Sequence, residues 1–321
     1  MSKKIIILGG DPNSINSEII YKCWKRLSKP LRNKIFIISN FSLLKAQFKK
    51  LNYKIKLEKI KNIYQNKKNY NLKIIDLGLK FDDPFKVSKS SSTKFVLKGL
   101  NLAHDLALRN DIKGLINCPI DKNHLNKKKI GVTEYLASKC KIKKNSEVML
   151  ISNKILAVNP ITTHEDIKFV AYKLNKRLIV NKTLTVNNWY KKILHRKPKI
   201  AILGLNPHNA ELRNNSEEKK IIIPAVKRLK DLGVKVEGPM ISDTIFINDY
   251  KKFDVIVGMF HDQVLAPFKT LFKFDAINIT LGLKYLRVSP DHGVAHNLIK
   301  KNKADHISLF KCIKFINKFG K

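Results

Sequence analysis

The sequence is poor in several features that would each have fixed a function class. It has 4 cysteines in 321 residues, at Cys23, Cys118, Cys140 and Cys312, far apart and without a C-x-x-C pair. That spacing excludes a zinc finger or a disulfide framework and reads as free thiols in a reducing cytoplasm. No run approaches the roughly eighteen apolar residues of a membrane span. The opening MSKKIIILGG passes so quickly into strand and loop that no secretory leader is expected. The G-x-G-x-x-G fingerprint is missing, so a standard dinucleotide site is not expected. Acidic residues are scarce, 25 Asp and Glu against 64 Lys and Arg, for a formal net charge of +39. Such an excess attracts nucleic acid or anionic membranes. Here it is mostly lysine, spread along a Lys-, Asn- and Ile-rich chain. No aromatic-rich RNA-binding run and no Cys/His finger accompanies it. It reads as a solvated basic surface that helps draw in anionic substrates, with neither a specific nucleic acid nor a membrane as partner.

What is present is an ordinary globular composition, 44% apolar, in a chain long enough for two domains or one large one. Lys4–Gly10 and Lys34–Ser39 read as buried strands, the first followed by a helix from near Ile15 that Ser14 or Asn16 caps and Glu18 favours at its positive end. Ser90–Thr93 reads as a capping cluster before a helix to Leu108, and Gly114–Ile120 as the next strand. Gly131–Glu134 leads into another helix, with Thr133 either as its cap or as a phosphate contact. Further strands at 148–151, 155–161, 199–205 and 234–237 alternate with helices over 165–194 and 216–232, and a last helix covers Ile307–Phe319. The alternation predicts a parallel α/β architecture.

The chemistry gathers around Asp254–Leu298. An apolar strand there breaks into His261-Asp262-Gln263, and two earlier strands end likewise, in NPITTH at His164 and in NPH at His208. In open α/β sheets function collects beyond the carboxyl ends of strands. Three neutral imidazoles leave a coordination position open on a divalent cation, as a catalytic site needs. The bland alternative is three hydrogen-bonded structural histidines. Asp243 and Asp262 are candidate carboxylate ligands, ligand-orienting partners or bases.

The motifs NPHNAE (206–211), SDT (242–244), FHDQ (260–263), NITLGL (278–283), R-x-S (287–289) and DHGVA (291–295) resemble those of the 4-hydroxythreonine-4-phosphate dehydrogenases of vitamin B6 synthesis. GDP (10–12), TEYLA (133–137) and NPITTH (159–164) fit as well, in order along the whole chain. The resemblance implies an α/β protein like the isopropylmalate dehydrogenases, with two α/β/α domains, an interdomain cleft, and a homodimer whose sites are shared between subunits. The expected division is 1–125 with 285–321, and 126–284. It implies a divalent metal on His164, His208 and His261, with zinc first and magnesium or cobalt as the other candidates. Substrate contacts fall on Thr133, Lys269, Asn278 and Arg287, and contacts to NAD, or alternatively NADP, on Gly282, Asp291, His292 and Gly293. Asp243 or Lys269 is the expected proton-transfer group. The implied reaction oxidises 4-phosphooxy-L-threonine to 2-amino-3-oxo-4-phosphooxybutanoate, which decarboxylates to 3-amino-2-oxopropyl phosphate.

Three departures stand out. Val132 replaces the family's usual His, so that residue's role is not carried over. Asp121 stands where a neutral or basic residue is usual, and the first loop, DPNSINSE, lacks the usual small-residue pattern. They keep open a related dehydrogenase acting on another 4-phosphorylated hydroxy acid, a threonate or erythronate phosphate.

Overall fold

The computed structural model describes residues 3–65, 69–128, 131–142 and 146–320. The Lys- and Asn-rich stretch 53–71 thus lies partly outside the described residues, at 66–68. In chain order come β1 (Lys4–Leu8), α1 (Asn16–Arg26), α2 (Lys29–Arg32), β2 (Ile35–Ser39), α3 (Phe41–Lys50), β3 (Leu57–Ile60) and β4 (Leu72–Asp76). Next are α4 (Lys89–Ala107), β5 (Ile112–Asn117), α5 (Val132–Lys139), β6 (Val148–Ser152), β7 (Ala157–Pro160), α6 (Ile167–Lys173) and α7 (Lys176–Ile193). Then follow β8 (Ile200–Leu203), α8 (Ile223–Asp231), β9 (Val236–Met240), α9 (Ser242–Ile245), β10 (Val255–Gly258), α10 (His261–Phe272) and β11 (Ile277–Leu281). The chain closes with β12 (Arg287–Pro290) and α11 (Ile307–Phe319).

The protein is α/β, and it divides into two compact units, Met1–Lys141 with Leu283–Lys321, and Ile142–Gly282. In the first unit the strands run β3-β4-β2-β1-β5-β12, each pair parallel. Strands buried on both faces read as unbroken apolar runs, which is why KIIIL and IFII have no alternation. Phe95, Val96, Leu100 and Ala103 of α4 form one helical stripe against Ile6, Leu8, Phe36 and Ile38. Gly99 lets that helix close on β1, since a Cβ there would sit 2.8 Å from the Leu8 side chain. Helix α5 belongs to this unit, with Leu136 in the same cluster. The segment 126–141, placed from the sequence with the second domain, therefore clusters with the first unit.

The second unit orders its strands β11-β6-β7-β10-β8-β9. β7, β10, β8 and β9 are mutually parallel, whereas β6 is antiparallel to both neighbours. The expectation of a parallel arrangement fails at β6 for a local reason. Asn153 accepts the Ile155 and Leu156 N–H groups on its side chain while its own N–H donates to Leu156 O, closing a tight turn too short for a crossover helix. Ile151, Val158, Leu203, Ile256, Val264 and Phe268 form the core here.

Several helix starts also need correction. Ile15, rather than Ser14 or Asn16, holds the cap position of α1, but Ser14 Oγ does accept the N–H of Asn16, the first helical residue, at 3.2 Å. Ser14 Oγ also donates to Asp11 O and Asn16 Nδ2 to Pro119 O, so both fasten the first loop. Glu18 is buried and accepts from Lys22 and from the Ala304 N–H. Helix α4 is capped one turn early, by Ser88, whose Oγ accepts the Ser91 N–H, so Ser90–Thr93 lie inside the helix. Thr133 is not the cap of α5. Gly131 holds that position, and its N–H donates to Glu134 Oε2 at 3.0 Å.

Phe268 is fully buried in the second unit's core. Phe268→Ala is expected to destabilise the protein by about 3–5 kcal/mol through lost burial and an unfilled cavity. Urea unfolding measures this, and a loss below about 1 kcal/mol would remove Phe268 from the core.

Candidate active site

The three strands that end in histidines are neighbours. β10 pairs with β7 on one side and β8 on the other, all parallel, so their carboxyl ends open at one edge of the second unit. His164 follows β7, His261 opens α10 just after β10, and His208 follows β8, while Asp243 lies in α9 beyond β9. A 3.3 Å rise per strand residue and strand spacings of about 4.8 Å bring together residues that the sequence scatters widely.

The loops carrying these side chains are laced to one another. Thr162 Oγ1 and its N–H both donate to Met259 O, tying the His164 loop to the β10 exit. Gln263 accepts the Met259 N–H at 2.6 Å and donates to Gly204 O at 2.7 Å and Ser242 Oγ at 2.8 Å. One side chain thus spans the exits of β10, β8 and β9. Behind the His164 loop, the buried Lys182 ammonium donates to Ile161 O at 2.9 Å.

The β8 exit carries an uncommon backbone. His208, Asn209, Ala210, Glu211 and Leu212 have φ of 50, 57, 51, 45 and 55°, a continuous left-handed turn without a glycine. Each such residue costs roughly 1–2 kcal/mol relative to right-handed backbone, and such strain collects at functional sites. The surroundings hold it. Glu218, fully buried, accepts the Leu205 and Asn206 N–H groups on Oε1 at 2.8 Å each, and the Asn206 side-chain amide on both oxygens. Asn209 Nδ2 donates to Pro239 O, and a side chain at Gly204 would stand 2.1 Å from Asn209 Oδ1. Burial alone would raise the Glu218 pKa, but the bonds it accepts from Asn206 and Leu205 outweigh burial and hold the carboxyl below its ordinary value.

Two of the histidines stand together, and the third stands beside a carboxylate. The His164 and His261 rings are 5.9 Å apart between centroids. His208 Nε2 lies 4.0 Å from Asp243 Oδ2, with both side chains largely exposed. His261 Nδ1 contacts Asp262 Oδ1 at 2.6 Å, an arrangement that leaves Nε2 as the basic nitrogen and suits a metal ligand. Among the described residues no group of three or more His, Cys, Asp or Glu is drawn close enough to grip an ion. The donor chemistry nevertheless fits a divalent metal. Three imidazoles leave adjacent strands, one with a carboxylate on its far nitrogen and one facing a second carboxylate.

Lys269 projects from the same helix as His261, its ammonium 5.2 Å from the Phe274 ring centroid. Asn278 on β11 buries its Oδ1 without a hydrogen-bond partner among the described residues.

In the first unit Arg287 is buried at the start of β12. Its Nε donates to Asn117 Oδ1 at 2.6 Å and its Nη1 to Thr133 Oγ1 at 3.2 Å. Burial lowers the guanidinium to about 10, still cationic at neutral pH. A buried fork of donors beside a helix start suits an anionic oxygen cluster. The DHGVA loop lies against the first loop, Ile15 N–H donating to Val294 O. Asp291 is buried and its N–H donates to Ser308 Oγ, and His292 Nδ1 is 3.0 Å from Gly293 O. Gly293 is exposed, and apart from its own chain neighbours no described atom comes within 4 Å of where a Cβ there would stand. Gly282 has a different local reason to be glycine, a φ of 89° and Ser146 O at 2.8 Å from a Cβ position.

Sequence reasoning passed over Asn117, Gln263 and Glu218. Gln263 lay inside a quoted motif, but two of its three bonds are to other loops. The signal for Glu218 was an adjacent acidic pair opening an apolar helix in a basic chain.

Comparison with known proteins agrees with this geometry. The family model described as "Pyridoxal phosphate biosynthetic protein PdxA" matches residues 31–316. A 4-hydroxythreonine-4-phosphate dehydrogenase of Sulfurihydrogenibium sp. (strain YO3AOP1) is 37% identical over 97% of this chain and 96% of its own. One of Aquifex aeolicus (strain VF5) is 36% identical over 98% of each. The crystal structure of 4-hydroxythreonine-4-phosphate dehydrogenase from Klebsiella pneumoniae superposes with a TM-score of 0.83 at 27% identity, covering 98% of this chain and 99% of that one.

The depressed Glu218 pKa has a signed consequence. A carboxyl held below its unfolded value contributes stability above that value and loses it as pH falls through the folded value. The stability lost in Glu218→Gln relative to wild type should be constant near neutrality and shrink below about pH 4.3, the unfolded glutamate value. Urea unfolding across acid pH reads this, and a difference that grows on acidification would contradict it.

Proposed function

The chain belongs to the PdxA family of pyridoxal phosphate biosynthetic proteins, and from that premise we propose that it is an NAD-dependent, divalent-metal-assisted dehydrogenase of 4-phosphooxy-L-threonine. The product, 2-amino-3-oxo-4-phosphooxybutanoate, loses carbon dioxide to give 3-amino-2-oxopropyl phosphate. The observation that carries this reading is the delivery of His164, His261 and His208 from three adjacent parallel strands, beside Asp243. Those three imidazoles would hold the ion, with Asp262 orienting His261. A divalent ion held there supplies Lewis acidity toward the oxygen of the reacting carbon. NAD, against Asp291, His292, Gly293 and Gly282, supplies the hydride acceptor.

The chain's own residues do the rest. Arg287, set by Asn117 and Thr133, takes the phosphate as a charge-assisted fork, with Lys269 and Asn278 as the other contacts. Phosphate binding remote from the reacting carbon orients that carbon and raises its effective concentration. Asp243, exposed beside His208, accepts the hydroxyl proton, and Lys269 is the alternative proton-transfer group. The four free cysteines suit a cytoplasmic setting. A homodimer is supported by the apolar side chains that the second unit exposes, Ile155, Ile167 and Tyr172 at 58%, 73% and 88%.

One observation favours a second substrate within the same chemistry. Val132, where the family usually carries His, packs on the apolar cluster of Leu125 and Leu136, so no side-chain donor stands at that position. A 4-phosphorylated hydroxy acid lacking the amino group is the alternative, and a panel of threonate, erythronate and amino-acid phosphates separates the two by relative kcat/KM.

Nicotinamide reduction with 4-phosphooxy-L-threonine is expected to stop on chelation, to return with added divalent metal, and to be lost in His208→Ala. Turnover indifferent to chelator and to His208 would refute the metal reading. In the same assay Asp243→Asn is expected to lose roughly 10²–10⁴ in kcat, and near-normal turnover at every pH would exclude Asp243 as the proton acceptor. Sedimentation velocity is expected to show a dimer that Ile167→Glu with Tyr172→Glu converts to monomer, and a monomeric wild type would remove the shared-subunit expectation.

A further inference from the structure

The left-handed turn at 208–212 demands an account of what keeps it. Its sequence does so only in part, because all five residues carry a Cβ and only His208 and Asn209 are of types that adopt positive φ at reduced cost. The constraint comes from the next helical segment. Glu218 opens the stretch Glu218–Ile222 that runs into α8, and it turns its carboxylate back to the two residues that lead into the turn. Oε1 accepts the Leu205 and Asn206 N–H groups, and both oxygens meet the Asn206 side-chain amide, at 3.3 and 3.1 Å. Glu217 Oε2 takes the same amide at 2.8 Å. Glu218 is itself completely buried. A carboxylate is seldom taken out of water without such partners, since unpaired burial is costly. The arrangement converts that cost into a fixed departure direction for Pro207 and His208.

Resting on the reading of His208 as a metal ligand, we propose that Glu218 is its positioning residue, holding the left-handed turn from the buried side so that the imidazole stays within 4.0 Å of Asp243. Glu218 touches neither metal nor substrate in this role. It acts through the Leu205–Asn206 backbone, and its removal frees the turn to relax toward right-handed backbone, carrying the His208 side chain away. Asn206 is the intermediate link. Its backbone bond to Glu218 does not depend on its side chain.

The test uses the full-length protein freed of metal and titrated with cobalt(II), whose visible absorption reports ligand number and geometry. His208→Ala sets the scale. Glu218→Ala is expected to weaken cobalt affinity by the order of 10–100-fold, as loss of ligand support does elsewhere, and to shift the cobalt spectrum toward that of His208→Ala. Glu218→Gln keeps an Oε1 acceptor for both backbone N–H groups and is expected to restore the wild-type spectrum with affinity within a few-fold, a rescue that loss of generic stability would not produce. If Glu218→Ala does not fold, Glu218→Met, which fills the buried space without a carboxylate acceptor for the two backbone N–H groups, carries the test and is expected to weaken cobalt to a similar extent. Wild-type affinity and spectrum in folded Glu218→Ala or Glu218→Met, with His208→Ala impaired, would overturn this inference alone. His208→Ala binding cobalt as wild type does would overturn the metal reading and this inference with it.

Discussion

Parallel pairing of β10 with β7 and β8 is the constraint on which the site depends. Parallel neighbours must all end at one edge, so residues after Pro160, Gly258 and Leu203 emerge side by side however far apart they lie in the chain. β9 extends the row and brings the Ser242-Asp243 segment beside it. Apolar packing of Val158, Ile256, Leu203 and Phe268 fixes the strands, and the polar side chains beyond them inherit that rigidity. Had β6 continued the parallel order it would have added its own exit to this edge. Its tight turn at Asn153 reverses it, so its exit falls at the opposite edge.

Rigidity at the exits comes from a few side chains that bond across loops. Gln263 satisfies three groups on three exits, and Thr162 ties the fourth loop to Met259. The strained turn at His208 is stabilised from outside by Glu218, Asn206 and Asn209, none of which faces the reacting atoms in this account. A turn whose conformation costs several kcal/mol when summed at about 1–2 per residue persists only because its surroundings over-determine it. The first unit uses the same economy, with Arg287 buried and aimed by Asn117 and Thr133.

Much of this was legible in the sequence, for identifiable reasons. Unbroken apolar runs marked β1, β2, β8 and β10 because these strands are buried on both faces, and the stripe of Ile307–Phe319 marked α11 to the residue. The histidines declared themselves by position, each following an apolar run. Caps were read poorly. Ser14, Asn16 and Ser90 have the right chemistry for helix starts, yet tertiary partners such as Pro119 O claimed Asn16 and Ser88 took the cap of α4. The reversal at β6 was hidden because Asn153 bonds its own neighbours, a local turn that composition does not distinguish from a loop. Glu218 and Gln263 were illegible for the opposite reason. Their roles rest mainly on bonds to other loops, and no spacing rule announces a carboxylate that serves the backbone of another loop.

The central claim is that three imidazoles from adjacent strands share one divalent ion. Nitrogen-15 correlation spectra of the histidine rings during zinc titration test it most directly. The account predicts that the ring signals of His164, His208 and His261 shift together, saturate at one equivalent per chain, and report coordination through one nitrogen each, while the remaining histidines stay unmoved. Saturation with only one or two of these rings shifted, or coordination by other histidines, would contradict it.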